Sequence, residues 1–91
     1  MVTKKEFIDY MAEMHGDDND YSDLYKSFKT LSKIKDSSQI KELRDLTKMD
    51  KHKRLLYRHA LASNGREYTP SQVDQYMSTI EYALLQIDEN N

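Results

Sequence analysis

Thr69-Pro70-Ser71-Gln72-Val73-Asp74-Gln75-Tyr76-Met77-Ser78-Thr79-Ile80-Glu81-Tyr82-Ala83-Leu84-Leu85-Gln86-Ile87 decides the fold class of this chain. It opens with threonine in the N-cap position, proline at the first helical position and glutamine at N3, the pattern of a capping box. Val73, Tyr76, Met77, Ile80, Ala83, Leu84 and Ile87 then recur at helical spacing, so a helix is expected over 70–88. An apolar face of that length must be covered by other elements, and the rest of the chain offers only helices to do it.

Working outward, Asp50 caps a helix expected over 51–63, which Asn64-Gly65 ends. A helix over 37–48 precedes it, introduced by Asp36 and Gln39 as a second capping box, with Ile40, Leu43, Leu46 and Thr47 inward. Met49-Asp50 contains no strong breaker, so these two segments are either separate or one bent helix. Tyr21, Leu24, Tyr25, Phe28 and Leu31 form a buried stripe on a helix over 21–33, with Asp20 as its cap. Thr3 and Glu6 open a helix over 4–15 that Gly16 stops; Phe7, Ile8, Met11 and Met14 share its face. With one proline, two glycines and no strand pattern, residues 1–91 read as one all-α domain. The expected architecture is an antiparallel helical bundle of four to five helices.

The absence of cysteine excludes disulfides and thiolate metal sites. No apolar run follows Lys4 and Lys5 to make a signal peptide, and the longest apolar run, Tyr82-Ala83-Leu84-Leu85, falls far short of the ~20 residues of a membrane span. The chain is therefore expected to be soluble and cytoplasmic. His52 and His59 stand two helical turns apart and cannot share a metal. They share a face with Met49 and Leu56 and are expected to be core or boundary histidines. The acidic turn at Asp18-Asn19-Asp20 lacks the glycine and glutamate that a calcium loop requires, because Asp23 and Lys29 occupy those positions. No nucleophile elbow or phosphate loop stands out, and the carboxylate pairs all lie in charged stripes where burial would not tune them, so neither an enzyme nor a cofactor is expected.

Charge is strongly segregated. Residues 1–25 hold two Lys/Arg and seven Asp/Glu; residues 26–66 hold twelve basic and four acidic; residues 67–91 hold five acidic and no basic residues. Within the central block, Lys26, Lys29 and Lys33, then Lys41, Arg44 and Lys48, then Lys51, Arg54 and Arg58 each repeat at i, i+3, i+7. At about 100° per residue, each trio forms a narrow stripe beside an apolar face. Glu6, Asp9 and Glu13 on the first helix and Asp74, Glu81 and Asp88 on the last are the matching acidic stripes.

Two readings follow. In one, the stripes pair across the bundle and select its topology. In the other, Lys41, Arg44, Lys48, Lys51, Arg54 and Arg58 form one exposed patch that binds an acidic partner. Tyr57, opposite the apolar arc of its helix, would be the aromatic anchor. Tyr82 and Leu85, off the core arc of the last helix, are further contact candidates, whereas Tyr21, Tyr25 and Tyr76 belong to the core. An acidic protein surface is the leading partner; nucleic acid and an anionic or receptor-bearing membrane surface are the others. The two segments around Met49-Asp50 resemble a helix-turn-helix in outline. Lacking Asn and Gln on the second helix, they suit phosphate contact better than base readout.

Three features together resemble the immunity proteins that protect bacteria from their own pediocin-like bacteriocins. Tyr21-Ser22-Asp23-Leu24 opens a long amphipathic helix, Arg54-Leu55-Leu56-Tyr57 leads into a short turn, and Tyr68-Thr69 with Gln72 starts a final helix. The resemblance implies a cytosolic antiparallel four-helix bundle. It would act by blocking bacteriocin killing at a membrane sugar-transport receptor and not by catalysis. The family's carboxyl tail usually continues beyond its last helix, whereas this chain stops soon after it.

Overall fold

The computed structural model describes residues 2–50, 52–54, 56–57, 65 and 69–90. It is an all-α helical bundle: α1 spans Lys4–His15, α2 Ser22–Leu31, α3 Ser37–Thr47 and α4 Pro70–Glu89, with residues 52–54 and 56–57 also helical. No strand occurs among the described residues. Of the expected 51–63 helix, Lys51, Leu55 and residues 58–63, Arg58 and His59 among them, lie outside them, as does Tyr68.

Side-chain oxygens set the starts of these elements. At α4, Thr69 Oγ1 accepts from Gln72 N at 3.1 Å and Gln72 Oε1 accepts from Thr69 N at 2.8 Å, a complete capping box ahead of Pro70. At α3 the carboxylate of Asp36 takes the backbone N–H of Ser38 and of Gln39, and the Ser38 hydroxyl as well. These bonds, the Ser38 hydroxyl first, hold its pKa below the ordinary value. At α1, Thr3 Oγ1 accepts from Glu6 N, and Glu6 answers through the threonine hydroxyl. Gly16 ends α1 with φ at +98°, a conformation side chains other than glycine rarely adopt, while its N–H reaches Ala12 O.

The second helix is shorter than its apolar stripe suggests. Asp20 accepts from Ser22 N, two residues on, as an Asx turn does, so Tyr21 becomes the N-cap and the helix starts one residue late. That backbone bond is also the main reason the Asp20 carboxyl is held below its usual pKa. At the other end, Lys33 N and Ile34 N bond three residues back, to Thr30 O and Leu31 O, and the chain tightens out of the α-helix before Lys33. The same tightening at Lys48 and Met49 ends α3. Asp50 then caps the next turn through Lys53 N and Arg54 N. The segments on either side of Met49-Asp50 are thus separate helical pieces.

The last helix is the centre of the molecule, packing against α1, α2 and α3, while α1 also packs on α2. α1 runs against α4, since His15 meets Ser78 and Tyr10 meets Tyr82. α2 runs with α4: Leu24 shares a groove with Gln72 and Tyr76, the Phe28 ring lies 5.1 Å from that of Tyr82, and Lys33 reaches the level of Gln86. Consecutive helices α1 and α2 therefore run in opposite directions.

Two cores result. The first joins Val2, Phe7, Met11, Tyr21, Phe28 and Ala83. Phe7, Phe28 and Tyr82 lie 5.1 to 6.2 Å apart in it, with Tyr10 4.4 Å from Tyr82. The second joins Leu43, Val73, Met77, Ile80, Leu84 and Ile87. Leu31 packs against both. Because α4 is enclosed on two sides, Gln75, Ser78 and Thr79 are buried with its apolar residues, and Thr79 returns its hydroxyl to Gln75 O.

Candidate partner-binding surface

The basic hairpin divides by residue type. Arg44 lies beside buried Leu43, so its guanidinium reaches across to α4 and grips Asp88 with both terminal nitrogens, at 2.6 and 3.3 Å. That contact lowers the Asp88 pKa and raises the Arg44 pKa, the hydrogen bond being the main cause for both. Arg54 reaches Asp74 at 3.2 Å and donates its Nε to Met49 O at 3.1 Å. Two members of the acidic stripe on α4 thus hold the two described arginines of the patch. Lys41 and Lys48, one helical turn either side of Arg44, are exposed and form no ion pair among the described residues. Lys51 and Arg58 lie outside the described residues. The hairpin patch is therefore not one uniform cationic surface, for its two described arginines turn to α4 and its described α3 lysines outward.

Tyr57 is half-buried and packs against the second core, which corrects its placement opposite the apolar arc. Of the face with Met49, Met49 itself packs against the second core, but the described helical residues are turned the other way. Leu56 is 55 % exposed and His52 is exposed, while Arg54 and Tyr57, three residues apart, face inward. The Arg54–Asp74 ion pair and the Met49 carbonyl bond fix this rotation, drawing the arginine stem over α4. Tyr82 likewise is covered, by the rings of Phe7, Tyr10 and Phe28. Burial, followed by the charges of Glu6 and Glu89, raises its phenol pKa; burial, then Glu81, does the same for Tyr10. Leu85 stays exposed, as does Met14, which does not join the inward face of α1.

The remaining charged stripes face solvent. On α1, Asp9 pairs with Lys5 at 3.0 Å on its own helix, and Glu6, Asp9 and Glu13 are exposed. No ion pair joins them to the basic block among the described residues. On α2, Lys26 is 4.0 Å from Asp23, Lys29 lies 5.2 Å from the centroid of the Tyr25 ring, and Lys33 is exposed. Among the described residues no group of three His, Asp or Glu side chains converges as a metal site. His15 instead bonds the Ser78 hydroxyl at 2.8 Å. No helix among the described residues is long and apolar enough to cross a membrane. No family model, curated protein or solved structure matches the chain.

Proposed function

We propose that this chain is a non-catalytic helical-bundle protein that docks its lysine-bearing face on an acidic surface of another protein, as an immunity or inhibitor-type accessory protein. The observation that carries the reading is the division within the basic block. Asp74 and Asp88 occupy Arg54 and Arg44, whereas Lys33, Lys35, Lys41, Lys48 and Lys53 are exposed and form no ion pair among the described residues. Cations needed only for cohesion would be expected beside the acidic stripes; outward lysines instead steer a negatively charged partner and fix its register. Glu42 and Asp45, exposed between Lys41 and Lys48, interrupt the cationic surface; a protein partner with discrete carboxylates can match that pattern, whereas a continuous phosphate backbone cannot avoid the two acidic groups. The size, the helical bundle and the three resembling motifs favour bacteriocin immunity as the specific form.

The test is protection. Expressing the chain in a bacterium sensitive to a pediocin-like bacteriocin should raise survival, and Lys41→Glu with Lys48→Glu should remove that protection while circular dichroism stays helical. Cells that die as readily with the chain as without it would set the immunity reading aside. Full protection by the double variant would remove these lysines from the binding surface.

A further inference from the structure

Between the second half of α2 and the last turn of α4 lies a groove of about 530 Å³, lined by none of the hairpin-patch residues. Its floor is apolar, made by Val2, Tyr25 and Phe28. Lys29, on α2, and Lys33, two residues past its end, line one side; Gln86 and Asn90, at the end of α4, line the other. We propose that this groove is a docking site for an acidic peptide segment of a partner protein, one that sets an aromatic or leucine side chain on the floor and carboxylates against Lys29 and Lys33. The proposal rests on the reading of the chain as a protein-binding module and places one site on it.

Charge complementarity selects the occupant. A groove at helix C-termini would ordinarily present free carbonyl oxygens, which repel anions. Here the last carbonyls of α2 are all engaged. Phe28 O accepts from Ser32 N, Lys29 O from the Ser32 hydroxyl, Thr30 O from Lys33 N, and Leu31 O from Ile34 N. Gln86 O is likewise taken by Asn90 N. The α2 side of the groove is left with the ammonium groups of Lys29 and Lys33. Lys29 is poised over the Tyr25 ring, and Lys33 is exposed with no ion pair among the described residues. The carboxylate beside the groove, Glu89, is turned to the Gln86 amide at 3.1 Å. Lysine stems flanking an apolar floor fit alternating carboxylate and apolar side chains.

A random peptide phage library panned on the intact protein tests this. The selected peptides should be enriched in Asp and Glu around an aromatic or leucine residue. Their amide shift perturbations should centre on Tyr25, Phe28, Lys29, Lys33 and Gln86, and Lys29→Glu with Lys33→Glu should weaken them by about ten-fold or more. Lys41→Glu with Lys48→Glu, outside the groove lining, should leave their affinity within about two-fold. Acidic peptides that bind but respond only to the Lys41 and Lys48 reversals would overturn the groove while sparing the wider docking reading. Selected peptides without acidic enrichment, no selection at all, or a short DNA duplex that displaces the peptides and perturbs the same amides more strongly would overturn the acidic-peptide site. The bacteriocin survival assay stays independent of all these outcomes.

Discussion

Ile80 shows how far single residues could be read. It sits at the middle of the longest apolar face and is 0 % exposed, between Met77 and Leu84 in the second core. Ile80→Ala should cost about 2–5 kcal/mol in chemical denaturation; a loss below about 0.5 kcal/mol would mean that this face is not packed as described. Thr69 is equally explicit, since its capping box is complete in the fold. Thr69→Ala should destabilise by about 0.5–2 kcal/mol, and an unchanged denaturation midpoint would show that the box contributes nothing to stability. Residues whose placement depends on a distant partner were less legible. Tyr57 looks outward and Leu56 inward on a helical wheel, and the fold reverses both because Arg54 is drawn to Asp74. Tyr82 looks like a surface aromatic until α1 and α2 bring Phe7, Tyr10 and Phe28 around it. Helical periodicity places a residue on its own helix, but ion pairs and ring contacts between helices decide which way a short helix turns.

At the scale of elements, caps were the most readable signal and helix ends the least. Asp36, Asp50 and Thr69 all cap, although Gln39 does not return the bond that a box with Asp36 requires, as Gln72 does to Thr69. The end of α2 is set by bonds three residues back that no composition signal announces. The caps and the α3–α4 tie share a dependence on acid. Asp36, Asp20 and Asp88 are held below their ordinary pKa of 3.8 by the Ser38 hydroxyl, the Ser22 N–H and the Arg44 guanidinium respectively. A carboxyl depressed in the folded state contributes stability that is fully present above its unfolded pKa. It is lost as pH falls through the lower folded value. Thermal midpoints should therefore be level on the acid side down to about pH 5 and fall below about pH 4. Asp36→Asn removes one of these titrations while leaving an oxygen that can still cap, so its acid limb should be shallower. An Asp36→Asn limb as steep as the wild type's would show that the cap's charge does not drive the acid loss.

Across the whole molecule, the charge pattern was legible as segregation but not as geometry. The acidic stripe on α4 holds two arginines, whereas the acidic stripe on α1 stays in solvent. One helix serves both cores, with Ala83 in the aromatic-rich first core and Ile80 in the second, and Leu31 touches both. That shared wall predicts one cooperative unit. Near-ultraviolet circular dichroism draws heavily on the ring cluster of Phe7, Tyr10, Tyr25, Phe28 and Tyr82 in the first core. Far-ultraviolet circular dichroism reports all helices. Ile80→Ala, made in the second core, should lower the thermal midpoint of both signals by the same amount, because α4 cannot lose one face and keep the other ordered. A near-ultraviolet transition that stays at the wild-type temperature while the far-ultraviolet one falls would show that the first core holds α1, α2 and part of α4 together on its own.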